Sequence, residues 1–121
     1  MLAEDNPINA KLACLLLERA GHRVTAVTNG AMALAAVAER RFDVVLMDVQ
    51  MPEMNGFEAT RQIRGLPDPR ARIPVIAMTA NVLAGDEEKC RQAGMDDYIG
   101  KPFKPAELMA KLARWAAGPA A

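Results

Sequence analysis

Polar residues stand at the ends of four apolar runs in this sequence. Glu4-Asp5 follow Met1-Leu2-Ala3, Asp48 follows Phe42 to Met47, Thr79 follows Ile73 to Met78, and Lys101 sits just past Met95 to Ile99. Three carboxylates, a hydroxyl and an ammonium are the groups that phosphoryl chemistry needs. Carboxylates drawn together repel one another unless a cation compensates, and oxygen-only ligation suits Mg2+ at about 2.0–2.1 Å, with Mn2+ as a substitute. A carboxylate can itself attack phosphorus and form an aspartyl-phosphate when a metal and nearby cations neutralise the transferring group. Asp48 ends the most apolar run and is the candidate nucleophile, with Glu4 and Asp5 as the candidate metal ligands beside it. Lys101 offers a point charge to one phosphoryl oxygen, and the Thr79 hydroxyl can donate to another. Taken singly, each has a plainer explanation: Glu4-Asp5 or Thr79 as helix caps, Asp48 as a loop residue, Lys101 as a surface lysine. Their placement on successive runs is what favours a site.

The elements that must bring these residues together alternate. Short β-type runs at Val24 to Thr28, Phe42 to Met47, Ile73 to Met78 and Met95 to Ile99 are separated by helical patterns. The helix candidates are Pro7 to Ala20, Ala31 to Arg40, Gly56 to Arg64, Val82 to Ala93 and Pro105 to Ala116. Such alternation predicts a parallel sheet with helices on both faces, and open sheets of that kind carry ligand sites at the carboxyl ends of their strands. Five helices require a fifth strand, which has to be the stub Met1-Leu2-Ala3. Asn6-Pro7 reads as a helix start, and Gly21 and Gly94 as helix stops. Asn29-Gly30 is a hairpin signal in isolation, but the alanine-rich, helical stretch after it favours a helix start. Pro67, Pro69 and Pro74 mark a turn-rich connection expected to be mobile.

Composition narrows the function classes. A chain of 121 residues, 51% hydrophobic, fits one compact domain. Its 15 basic and 15 acidic residues cancel, which gives no long-range attraction to nucleic acid or anionic lipid. No apolar run approaches the roughly 20 residues of a membrane span, and no basic-then-apolar leader opens the chain, so a cytoplasmic location is expected. Cys14 and Cys90 lie far apart without a CxxC or Cys/His cluster and read as reduced thiols. His22, among charged neighbours, reads as a solvated edge residue. Asp96-Asp97 read as turn residues at the rim opposite the site, and Met47, Met78 and Met95 as core.

Four segments carry a resemblance. Glu4-Asp5-Asn6-Pro7-Ile8-Asn9, Met47-Asp48-Val49-Gln50-Met51-Pro52-Glu53-Met54-Asn55-Gly56, Met78-Thr79-Ala80, and Met95-Asp96-Asp97-Tyr98-Ile99-Gly100-Lys101-Pro102-Phe103 resemble the receiver domains of two-component response regulators. These include chemotaxis-regulator-like domains and, closest in motif, the receivers of hybrid sensor histidine kinases. The resemblance implies a flavodoxin-like, doubly wound (βα)5 parallel sheet of order 2-1-3-4-5 in three α/β/α layers. A receiver would then occupy residues 1–117, with a tail at 118–121. It implies phosphorelay signalling in which Asp48 accepts a phosphoryl group from a histidine kinase or histidine phosphotransfer protein, in a self-catalysed reaction rather than as an enzyme. Glu4, Asp5 and the backbone carbonyl of Gln50 would hold Mg2+ with Asp48. Thr79 and Tyr98 would be the switch pair altering the face of helix 4, strand 5 and helix 5, where an output domain or a second copy would bind. Gln50 and Asn81 occupy lifetime-tuning positions, and Lys101-Pro102 resembles the family's cis peptide. Asn55 and Gly100 depart from common family choices without removing a catalytic group. The short first strand departs more, since the implied central strand should carry four or five apolar residues.

On a helical wheel, Ile8, Leu12, Leu15 and Leu16 form a stripe assigned to the sheet, which leaves Ala10, Ala13, Cys14 and Leu17 as an apolar outer face. By resemblance, that face would dock a helical phosphodonor. Two other functions compete. A haloacid-dehalogenase-type phosphatase also forms an aspartyl-phosphate but carries DxD, whereas the segment here is Asp48-Val49-Gln50. A phosphorylation-independent interaction module would not need the full constellation.

Overall fold

The computed structural model of the chain describes residues 1–40, 42–49, 51, 54–67, 70–79, 87–100 and 104–116. Among them lie five parallel strands: β1 (Leu2–Ala3), β2 (Ala26–Val27), β3 (Val45–Asp48), β4 (Val75–Thr79) and β5 (Asp97–Gly100). They alternate with five α-helices: α1 (Pro7–Arg19), α2 (Gly30–Glu39), α3 (Gly56–Arg64), α4 (Glu87–Ala93) and α5 (Pro105–Ala116). The sheet order is β2-β1-β3-β4-β5, as expected for this doubly wound fold. The expected tail at residues 118–121 lies outside the described residues.

Asparagine side chains start three of the helices. Asn6 Oδ1 accepts from the amides of Ile8 and Asn9 at 2.9 and 3.2 Å, with Pro7 filling the first helical position where no donor is needed. Asn29 caps α2 through the Met32 amide at 2.8 Å, which disposes of the hairpin alternative at Asn29-Gly30, and Asn55 caps α3 through Glu58 at 2.9 Å. Gly21 and Gly94 follow α1 and α4 at φ +92° and +98°, a left-handed conformation that ends a helix without strain only in glycine.

Strand alternation divides the core into two layers. Val45, Met47, Val75 and Ala77 point to the face covered by α2, α3 and α4, where they meet Val37, Ile63 and Cys90. Leu46, Ile76, Met78 and Ile99 point to the other face and meet Leu17, Leu108 and Leu112 from α1 and α5. Met47, Met78 and Met95 are core, and His22 is exposed, as the sequence suggested.

The stub β1 does lie at the centre of the sheet. Leu2 pairs with Ala26 and Leu46, and Ala3 with Val27 and Met47. Backbone bonds extend the ladder by a residue at each end. Leu46 N–H donates to Met1 O at 2.9 Å, and Glu4 N–H donates to Val27 O at 3.0 Å. Leu2 and Ala3 are fully buried, so the strand packs completely for its length. Complete burial of one leucine side chain contributes about 1.5–3 kcal/mol.

Helix α1 is turned opposite to the wheel assignment. Ala13 and Leu17 are buried, Leu17 to 5% exposure, and Ala10 and Cys14 pack beside them against the sheet. Ile8, Leu12 and Leu15 face outward at 77%, 49% and 47% exposure, while Leu16 flanks the core side. Ala10, Ala13, Cys14 and Leu17 therefore form no outer docking face. Both faces of α1 are apolar, so periodicity alone could not orient it. The small side chains of Ala10, Ala13 and Cys14 let the helix approach the sheet closely, and a leucine-filled face would hold it away.

The amino-terminal rim of the sheet is clasped by one arginine. Arg64, ending α3, donates from Nε and Nη2 to Gly94 O at 2.9 and 2.7 Å. Its Nη1 donates to Ala71 O and Ile73 O at 2.9 and 2.7 Å, and Nη2 also reaches Asp96 Oδ2 at 2.9 Å. The same Asp96 oxygen accepts from the Val75 amide at 2.8 Å. One guanidinium thus ties α3, the proline-rich connection with its 3-10 turn (Arg70–Arg72), and the starts of β4 and β5. Residues 68 and 69 of that connection lie outside the described residues.

Candidate functional site

At the carboxyl rim, three successive neighbours in the sheet deliver polar side chains. Glu4 follows β1, Asp48 ends β3 and Thr79 ends β4. All three are buried, at 2%, 3% and 1% exposure, and Asp5 is exposed at the mouth. Carboxylate oxygens of Glu4, Asp5 and Asp48 lie within 4.8 Å of one another. The Asn6 amide donates to Glu4 Oε2 at 3.4 Å, so the residue that caps α1 also steadies the first acid.

This donor set fits a hard divalent cation. Three carboxylates supply oxygen ligands only, one of them from the exposed mouth where an ion can enter, and their mutual repulsion is relieved by a +2 charge. Two of the three are withdrawn from bulk water, which strengthens both the repulsion and the attraction to an ion.

The loop after Asp48 is pinned against the helix that follows it. A Cβ on Gly56 would collide with the Asp48 carbonyl oxygen and press on Val49 Cα. Glycine is therefore required where α3 begins. Gly56 N–H donates to Val49 O at 3.2 Å, Gly30 N–H donates to Met54 O at 2.9 Å, and Thr60 Oγ1 donates to Gly56 O at 2.7 Å. The positioning role of Gly56 is one that sequence reasoning missed. Its signal was a glycine, a poor helix former, at the first helical position directly after a capping asparagine.

Thr79 and Tyr98 share a sheet face. Tyr98 pairs with Ala77, two residues before Thr79 on β4, so both side chains point toward the α4 side. Tyr98 is half-buried there. Asp97, expected in a turn, instead opens β5 and points to the α5 face. Its Oδ1 accepts from Lys111 Nζ and from the Tyr98 amide, both at 2.8 Å, and its Oδ2 accepts from Trp115 Nε1 at 2.9 Å. Burial acts to raise the Asp97 pKa, but the hydrogen bonds from Lys111, Trp115 and the Tyr98 amide, with the Lys111 charge, together hold it below its ordinary 3.8. Asp96 does lie at the rim opposite the site, held by Arg64.

The structure thus brings Glu4, Asp5 and Asp48 together, with Thr79 on the neighbouring strand end. Lys101, Asn81, the Gln50 carbonyl and the Lys101-Pro102 bond lie outside the described residues. No helix among the described residues is long and apolar enough to cross a membrane.

Comparisons with known proteins agree with this geometry. The family profile described as "Response regulator receiver domain" matches residues 1–113. The sensor protein GacS of Pseudomonas syringae pv. syringae is 41% identical over 117 residues, which cover 95% of this chain and 13% of that protein. The chain therefore spans about an eighth of this curated relative. Among solved structures, the receiver domain of sensor histidine kinase PA1611 from Pseudomonas aeruginosa PAO1, with a magnesium ion coordinated in its active site cleft, superposes with a TM-score of 0.91. It is 46% identical, covering 97% of this chain and 95% of that one. The receiver domain of Ssk1, in its co-crystal with the histidine phosphotransfer protein Ypd1 of Saccharomyces cerevisiae, gives a TM-score of 0.89 at 27% identity, covering 96% and 86% of the two chains. With its strand order, its rim of carboxylates and a profile match over nearly its whole length, this chain belongs to the response regulator receiver domain family.

Proposed function

We propose that this domain accepts a phosphoryl group on Asp48 from a phosphohistidine donor, with Mg2+ held by Glu4, Asp5 and Asp48, and that the modification switches its binding surface. The observation that carries this reading is the convergence of the three carboxylates at one rim within 4.8 Å. A carboxylate oxygen of Asp48 attacks phosphorus, the P–N bond of the donor breaks, and the imidazole leaves with the bonding pair. A bound Mg2+ supplies charge neutralisation for the transferring group, and Mn2+ fills the same role. Glu4 and Asp5 hold the cation. Thr79 donates its hydroxyl to a phosphoryl oxygen, and Lys101 and the Gln50 carbonyl complete the constellation as the family resemblance implies. Tyr98 follows Thr79 as the second switch residue, and Gln50 and Asn81 set the lifetime of the phosphorylated state. The domain promotes its own modification and turns over no separate substrate.

The donor is a histidine kinase or a histidine phosphotransfer protein, the pairing named for the Ypd1–Ssk1 complex. The outward apolar row Ile8, Leu12 and Leu15 begins one turn from Asp5 and offers the donor a surface beside the site. A second surface, around α4, β5 and α5, serves an output domain or another copy. The likeness to GacS and PA1611 favours a place inside a hybrid histidine kinase. Cys14 and Cys90, in no disulfide among the described residues, fit the reducing cytoplasm. Among the described residues, nothing in the site favours a phosphatase of haloacid-dehalogenase type or a phosphorylation-independent module.

Incubation with acetyl phosphate and Mg2+ followed by intact mass measurement tests the reading. The wild type gains one phosphoryl group and Asp48→Ala gains none. Equal labelling of the variant, or an unlabelled wild type, overturns the assignment.

A further inference from the structure

Strand β5 is an edge of the sheet, so a long side chain from one face can reach past it to the other. Asp97 and Ile99 point to the α5 face, where Ile99 packs with Leu108 and Leu112. Tyr98 points to the opposite face. Lys111 of α5 engages both. Its Nζ lies 2.8 Å from Asp97 Oδ1 and 5.6 Å from the centroid of the Tyr98 ring.

Asp97 makes a fixed anchor for that ammonium. The Trp115 indole holds one of its oxygens and the Tyr98 amide shares the other, while the carboxylate side chain is only 12% exposed. A lysine tethered in this way has little rotamer freedom left to lose when it also covers an aromatic face. The attraction between a cation and a ring strengthens as water is excluded, and the Lys111 side chain is 26% exposed.

We propose that Lys111 is a positioning residue for Tyr98, holding its ring in the observed place and so tying the switch tyrosine to α5 around the edge of the sheet. The proposal rests on the reading of Tyr98 as part of the phosphorylation switch. Rotation of the ring away from Lys111 forfeits the cation–ring contact but leaves the Lys111–Asp97 pair intact. Helix α5 therefore biases the switch without having to move. The contact is worth about a two- to fivefold bias in ring position.

Tyr98 is the single tyrosine of the chain, so ring-labelled tyrosine gives one set of NMR signals that reports its position directly. Lys111→Met keeps the aliphatic stem and removes the charge. It should raise the population of the alternative ring position about two- to fivefold before phosphorylation. Lys111→Arg, which keeps a cation for both Asp97 and the ring, should restore the wild-type spectrum. Lys111→Gln can still donate to Asp97 but carries no charge, and it should behave as Lys111→Met. Each protein is then treated with acetyl phosphate and Mg2+ and weighed. If the wild type gains no phosphoryl group, the receiver reading fails and this proposal falls with it. If all proteins gain the group and the Tyr98 signals of Lys111→Met and Lys111→Gln match wild type, the proposal alone falls. A shift in Lys111→Met that Lys111→Arg does not reverse also overturns it, because the lysine then acts through packing.

Discussion

The two rims of the sheet handle charge in opposite ways. At the amino-terminal rim, the Arg64 guanidinium meets three backbone carbonyls and the Asp96 carboxylate, and Asp96 also takes the Val75 amide. Donors and acceptors there are matched within the protein. At the carboxyl rim, three carboxylates converge within 4.8 Å, a concentration of like charge that a divalent cation would relieve. The same sheet thus pairs opposite charges at one end and gathers like charges at the other. Gathered like charges are a common mark of functional sites.

A large effect should come from breaking the matched rim. Arg64→Ala should lower unfolding free energy by about 2–4 kcal/mol, because it strands partly buried carbonyls and a carboxylate. Urea unfolding measures this, and acetyl phosphate labelling of the folded fraction should be unchanged. A loss below 1 kcal/mol would erase the contrast between the rims. The opposite sign is expected at the other end. Asp48→Asn should raise stability without divalent ions by about 1–2 kcal/mol and abolish any stabilisation by added Mg2+. Midpoints with and without Mg2+ decide it, and a destabilised variant would mean that the carboxylates are already balanced internally.

Acid sharpens the comparison further. The Asp97 pKa is held below 3.8 in the folded state, so its carboxylate contributes stability that is present above about pH 4. As pH falls through the folded value, both states become protonated there and the contribution disappears. Asp97→Asn should remove that part of the acid-induced loss in a urea series between pH 5 and 2, and an identical pH profile would contradict the Lys111 and Trp115 contacts. The smallest expected effect is at Leu15, which faces outward on α1. Leu15→Ala should change stability by less than about 0.5 kcal/mol, whereas Leu17→Ala should cost about 2–4 kcal/mol. Phosphotransfer from a histidine donor to Leu15→Ala should nevertheless slow. An unchanged rate removes the outer face of α1 from the docking surface.

Much of this was legible in the sequence because the signals are local. Asn55-Gly56 and Pro105 mark the starts of α3 and α5, and both helices span the residues that the pattern indicated. Strand limits were less legible because a strand ends where its partner ends. Val24 and Thr25 have the composition of β2, but β2 pairs with a two-residue β1 and is reduced to Ala26–Val27. The orientation of α1 was hidden by having two apolar faces, between which only the closeness of the sheet chooses. The roles of Asp96 and Asp97 depend on Arg64, 32 residues away, and on Lys111 and Trp115, 14 and 18 residues away. No local pattern reports such partners. The acidic pair at Glu4-Asp5 and the strand-end Asp48 were visible because ligand sites of open parallel sheets occur at a predictable place.

The edges of the sheet also govern how copies of this domain can meet. Exposed strand edges invite pairing with another chain, which leads to fibres or swapped dimers. Here β2 offers only two residues on one side, and on the other β5 is crossed by the Lys111 ammonium. A short edge gives an incoming strand too little to hold, and a guarded one would have to displace a charge. Among the described residues, both features act against growth by sheet extension and leave the helix faces as the surfaces on which reversible contact between copies would be made.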